Sequence, residues 1–259
     1  EHPETSGVSL HCEHRLNDKN LSPEDLQRIV SYELHLRYYN QALRYIKFPP
    51  AFQTIGSSFA VKAESYAKQG GMNRKKAGED FYFLQKIITA GNFHDFPYTT
   101  VYPSGRGSNR VPFGTGAAVE KMRQNRQTQY LSYAWASFLE IKELISRPQV
   151  FFKYNTLTFD ELGECTKEFL KNENFAKALR RIKRISNDLQ TFRKHFFAEF
   201  NAFKMVKYLN FSQRHYFPAR PVVDGAARLA ALLGFPEENS ESDLLTAYRE
   251  FERQNPKKT

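Results

Sequence analysis

The chain has 259 residues with 41% hydrophobic and 15% aromatic content, which is enough for a packed core and excludes a disordered polyelectrolyte. A net charge of +10 calls for an anionic partner such as a nucleotide-sugar phosphate, a membrane face or a nucleic acid. No zinc-finger, homeodomain or RNP-type pattern supports the last. Two cysteines far apart in sequence, Cys12 and Cys165, have no metal-ligand spacing and suit a reducing cytoplasm; no apolar run reaches the roughly 20 residues of a membrane span, and no signal peptide is visible.

In chain order, Val8-Ser9-Leu10 reads as an edge strand. The histidines beside it, His11 and His14 with Glu13 between them, are a weak metal pattern and a better solvated or acceptor-facing segment. A helix over 21–47 is predicted next. Ser22 caps it, Pro23 takes its first position, and Leu26, Ile29, Val30, Leu34, Tyr38, Ala42 and Ile46 form its apolar face. Glu33, His35, Arg37 and Tyr39 on the same helix could line a cleft, but read first as a mixed, solvated face. Pro49-Pro50 ends it.

The densest stretch follows. Gly56-Ser57-Ser58 leads into a short strand, Phe59-Ala60-Val61, and Gly70-Gly71 stops one or two helical turns. Gly78-Glu79-Asp80 opens a helix with Phe81, Leu84, Ile87 and Ile88 inward, and Gly91 sits at its end. Both acids thus lie in a first turn, where the helix dipole favours anions. A second strand over 96–102 runs into a loop, Pro103 to Pro112, that carries Arg106 and Arg110. Gly114-Thr115-Gly116 precedes a further helix to Arg126.

Beyond residue 122 the pattern is helical throughout, giving two expected domains, 1–122 and 123–259. A helix is expected over 131–145. Thr158-Phe159-Asp160-Glu161 has the form of a capping box with Leu157 and Leu162 as its staple. Residues 174–185 show a basic face. Leu189, Phe192, Phe196, Phe200, Phe203 and Val206 make one long apolar stripe over 188–209. Short helices over 224–233 and 240–253 and a frayed tail from Pro256 complete the chain. The fold class expected is α+β, predominantly helical.

An acid at the mouth of a helix, with two arginines on a glycine-rich loop, has the parts of a sugar-transfer site. One carboxylate takes a proton from an acceptor hydroxyl while cations neutralise a leaving diphosphate. The small-residue segment Gly56-Ser57-Ser58, the Gly70-Gly71 turn and the acid pair Glu79-Asp80, in this order, resemble the acceptor-side, C-terminal half of family 2 glycosyltransferases of the GT-A fold. The resemblance implies a partial GT-A-like half with few strands. It also implies Asp80 as general base with Glu79 beside it, and Gly56, Ser57 and Ser58 facing the donor sugar and acceptor. Arg106 and Arg110 would meet the diphosphate. It further implies a nucleotide-sugar donor, a saccharide or lipid-linked acceptor, a divalent Mn or Mg ion in the intact enzyme, and a cytoplasmic, membrane-peripheral setting. The family holds its metal with an Asp-x-Asp motif on an earlier strand, and this sequence has none. The expectation is therefore a chain that begins partway through a longer enzyme and is inactive alone. The competing expectation, from another class, is a non-enzymatic basic helical module that binds nucleic acid or an anionic membrane surface.

Overall fold

The structure, a computed structural model, describes residues 3–73, 78–107, 114–154, 159–238 and 240–258. In chain order the elements are β1 (Gly7–Cys12), α1 (Pro23–Tyr45), β2 (Phe59–Val61), α2 (Ala63–Lys68), α3 (Glu79–Ala90), β3 (Phe93–Val101), α4 (Thr115–Gln124) and β4 (Leu131–Ser132). There follow α5 (Trp135–Ser146), α6 (Pro148–Lys153), α7 (Glu164–Asn172), α8 (Phe175–Arg184), α9 (Leu189–Glu199), α10 (Ala202–His215), β5 (Arg220–Pro221), α11 (Val222–Leu233) and α12 (Glu241–Gln254). The fold is α+β and predominantly helical, with one three-stranded and one two-stranded sheet among the described residues. No helix among them is long and apolar enough to cross a membrane.

The chain forms two compact units, each discontinuous in sequence. The first comprises Glu1–Asn40, Phe52–Ser132 and Pro221–Thr259; the second comprises Gln41–Ala51 and Tyr133–Arg220.

In the first unit the sheet order is β2-β1-β3. Strand β1 is therefore central, not an edge: it pairs antiparallel with β2 (Ser9 opposite Phe59) and parallel with β3 (Gly7 opposite Phe93). The β1–β3 register runs evenly to Leu10 opposite Phe96, then jumps so that His11 faces Thr100. Pro97 lies in the extra residues; it has no N–H to donate to a ladder, so the strand bulges there. Helix α3 lays Phe83, Leu84, Ile87 and Ile88 against Phe52 and Phe93. Phe83 takes the inward place that the sequence pattern assigns to Phe81, which is only partly buried. Each such side chain stabilises by about 1.5–3 kcal/mol on burial. The C-terminal tail is held, not frayed: the Asp95 N–H donates to the Lys257 carbonyl at 2.8 Å, and the Lys257 N–H to the Asp95 carboxylate at 2.9 Å.

The second unit is built around phenylalanine. Phe196 of α9 lies between Phe151, Phe175 and Phe192 with ring centroids 5.7 to 6.3 Å away, and is fully buried. The apolar stripe over 188–209 is two helices rather than one. The chain breaks at Phe200-Asn201, where the Asn201 side chain accepts from the Lys204 N–H and caps α10. Helix α7 likewise does not start at the box over 158–161, of which Thr158 and Leu157 lie outside the described residues. It starts at Glu164, and the cap comes from another helix: Glu140 of α5 accepts the Thr166 N–H at 3.0 Å. Gly163 leaves the room for this, because a Cβ there would fall 2.3 Å from the Glu140 carboxyl carbon.

Candidate functional site at the carboxyl edge of the sheet

Strands β1 and β3 are parallel, so both end at one edge of the sheet, and antiparallel β2 begins there. Three segments thus leave the sheet together: Gly56-Ser57-Ser58 before β2, Glu13-His14 after β1, and Tyr102 to Arg106 after β3. In open α/β sheets ligands bind outside the carboxyl ends of the strands.

Ser58 is fastened to β1. Its carbonyl accepts the Leu10 N–H and its hydroxyl donates to the Leu10 carbonyl, each at 2.9 Å. Ser57 and Gly56, one and two residues earlier, are exposed. The Asp80 side chain closes over Gly56, where a Cβ would lie 2.0 Å from Asp80 Oδ2; only glycine leaves the carboxylate that place. Asp80 is the second residue of α3. Gly78, in the left-handed region at φ 76°, turns the chain into the helix. The Phe81 N–H donates to Asp80 Oδ1 at 2.7 Å, so the carboxylate sits on the positive end of the helix. Glu79, the first residue of α3, is partly buried. The structure therefore brings Gly56, Ser57, Ser58, Glu79 and Asp80 together. Arg106 is exposed, on a loop whose Gly105 lies close to Ile29 of α1 and to Leu21 just before it. Arg110 lies outside the described residues.

Beside this edge is a buried ionic network. Glu33 of α1 accepts both the backbone N–H and the Nδ1–H of His14, at 2.8 and 2.9 Å. It also accepts two bonds at 2.8 Å from Arg249 of α12, and further bonds from Arg37. Arg37, fully buried, also donates to Glu252 and to the Cys12 carbonyl. One step outward, Glu13 takes His11 at 2.7 Å and Arg253 at 2.5 Å. Burial opposes ionisation of both acids. For Glu33, His14, Arg37 and Arg249 outweigh it and hold the carboxyl well below the usual range; for Glu13, His11 and Arg253 do so and hold it at about 2. Burial, aided by the negative charge of Glu33, pushes the Cys12 thiol up to about 11, so it stays protonated and unreactive.

Glu33 and Arg37 are thus not a solvated face. Their i,i+4 spacing was visible, but the residues that bury them, Arg249 and Glu252, are more than 200 positions away, and no local pattern connects them. The three residues that suggested a metal do not converge either: His11 turns to Glu13 while His14 turns to Glu33 and to Thr115 Oγ1 at 3.1 Å. Among the described residues no group of three or more His, Cys, Asp or Glu is arranged to hold an ion.

No protein-family model, curated protein or solved structure matches this chain.

Proposed function

We propose that the first unit is the acceptor side of an inverting glycosyltransferase. The reading rests on one observation, the Asp80 carboxylate seated over Gly56 at the carboxyl edge of the sheet. In the reaction Asp80 takes the proton of an acceptor hydroxyl as that oxygen attacks the anomeric carbon of a nucleotide-sugar. The bond from that carbon to the diphosphate breaks, and the diphosphate leaves with the electron pair. The Phe81 N–H holds Asp80 Oδ1 at the start of α3 and leaves Oδ2 over Gly56. Glu79 positions the acceptor or the base, and the exposed Gly56-Ser57, anchored by the buried Ser58, lets a sugar approach closely. Arg106 and Arg110 offset the charge on the leaving group. The acceptor is a saccharide or a lipid-linked saccharide, and the setting is cytoplasmic. A Mn or Mg ion would neutralise the same leaving group; among the described residues no set is arranged to hold one, so no step is routed through it.

Replacing Asp80 by Asn in the enzyme expressed from its complete gene should lower sugar transfer about 10²–10⁴-fold, across a donor panel with and without Mn²⁺ or Mg²⁺, and leave the circular dichroism spectrum unchanged. Transfer at the unaltered rate overturns the assignment. A second reading, a non-enzymatic basic module, draws on the net charge. It makes the Gly56–Asp80 contact scaffold alone and predicts indifference to Asp80.

A further inference from the structure

The chain's charge is not shared between its two units. The second unit holds 18 Lys and Arg against 9 Asp and Glu, a net +9 out of the chain's +10. Its densest part is α8. Phe175, Leu179 and Ile182 face the interior, and Lys177, Arg180, Arg181 and Arg184 face out at i, i+3, i+4 and i+7. With Asn174 and Ala178 these four line an open groove of about 560 Å³. Arg181 is bonded to Glu199 at 2.6 Å, whereas no ion pair among the described residues engages Lys177, Arg180 or Arg184. A bare row of cations about 10 Å long is unfavourable to keep without a counter-charge.

Exposed apolar side chains border this row. Ile185, the residue that ends α8, is 52% exposed, and Tyr154, which ends α6, is 54% exposed. Lys183 of α8 donates to the Tyr154 carbonyl at 2.6 Å, which ties the two helix ends together. Val150, one turn before Tyr154 and 43% exposed, continues the apolar border.

We propose that this face of the second unit docks on an anionic lipid bilayer. Lipid phosphates would enter the groove opposite Lys177, Arg180 and Arg184, while Tyr154, Ile185 and Val150 enter the headgroup layer. Arginine's planar fork suits phosphate oxygens, and a tyrosine is stable at a membrane interface with its ring in the apolar layer and its hydroxyl wet. The border decides between polyanions. Aliphatic side chains gain from lipid and gain nothing from a phosphodiester strand. Among its described lining residues the groove has no aromatic ring, and Tyr154 at its border offers one stacking platform where successive bases would use several. The inference stands without the glycosyltransferase reading, since it uses no residue of the first unit.

The test is co-sedimentation of the full chain with phosphatidylcholine vesicles, with and without phosphatidylglycerol, at physiological ionic strength. The expected result is binding to the anionic vesicles alone, lowered roughly a hundredfold by the combined variant Lys177→Glu, Arg180→Glu, Arg184→Glu. Tyr154→Ser with Ile185→Ser should remove the binding that persists at raised salt. Arg180→Gln and Arg184→Gln are milder variants for use if the triple variant loses its circular dichroism spectrum, and each should weaken binding. Equal binding to neutral vesicles, or unchanged binding by the charge variants, overturns the proposal. So does tighter binding to a single-stranded oligonucleotide that is indifferent to Tyr154→Ser and Ile185→Ser, which would make nucleic acid the occupant.

Discussion

At Gly56 one hydrogen atom in place of a methyl decides where the Asp80 carboxylate can lie. The glycine is exposed, and its backbone is not in the left-handed region, so alanine is tolerated conformationally. The added methyl would nonetheless coincide with the Asp80 carboxylate, which must then swing away. Gly56→Ala should therefore change stability by less than about 1 kcal/mol, and under the proposed glycosyltransferase reading it should lower transfer nearly as far as Asp80→Asn. In an Asp80→Ala background it should have almost no further effect. Urea unfolding and transfer rates on the four members of this cycle would show the coupling, and additive effects would mean that the two residues act separately. A glycine before a strand and an acid opening a helix are both readable from sequence. Their apposition is not, because it depends on how α3 lies against β2.

At the scale of elements, the join between β1, α1 and α12 is ionic. Arg37 is fully buried between Glu33 and Glu252, so removing one acid strips one of its two counter-charges and leaves part of the guanidinium unbonded where water does not reach. Glu252→Ala should lower the unfolding free energy by about 3–5 kcal/mol in urea, and Glu252→Gln by less, because the amide still accepts a bond from Arg37. A loss under about 1 kcal/mol from Glu252→Ala would mean that Arg37 finds another partner. Elements were legible where the signal is local. The residues from 240 on offer Ser240 or Ser242 as a cap, and it is Ser240 that caps α12, its hydroxyl accepting the Asp243 N–H. They were misread where the signal is remote. The start of α7 depends on Glu140, a residue of a different helix, and β1 is central because β3, some 80 residues later, returns to its free side.

At the scale of the whole molecule, pH reports on burial. His35 lies 4.5 Å from the Tyr130 ring with Nδ1 2.7 Å from the Ser132 hydroxyl, and burial pushes its pKa from 6.5 down to about 4. Between those values the unfolded chain binds a proton that the folded chain does not. The stability from neutral His35 is therefore complete above about 6.5 and is lost as the pH falls towards 4. Below that, Glu13 contributes stability that is present above its ordinary 4.5 and lost as the pH falls through about 2. Unfolding free energy followed by circular dichroism should thus decline in two stages. His35→Gln should flatten the upper stage, by about 1–3 kcal/mol, and leave the lower one. An identical pH profile in the variant would show that His35 titrates normally in the folded protein.

What the sequence determined by itself was everything carried by periodicity, caps and composition. It determined the helical majority, the mixed α+β class, the short strands around the Gly56 segment and the basic face of α8. These depend on residues within a few positions of one another. Only the tertiary structure decided that β1 lies inside its sheet, that Glu33 and Arg37 are core, that Asp80 closes over Gly56, and that residues 221–259 cluster with the first unit, which leaves nearly all the net charge in the second. The reason is physical. Burial and charge pairing are set by chain segments that meet across a hundred residues or more, and a carboxylate or a guanidinium carries no mark in sequence of whether water or a distant partner will satisfy it.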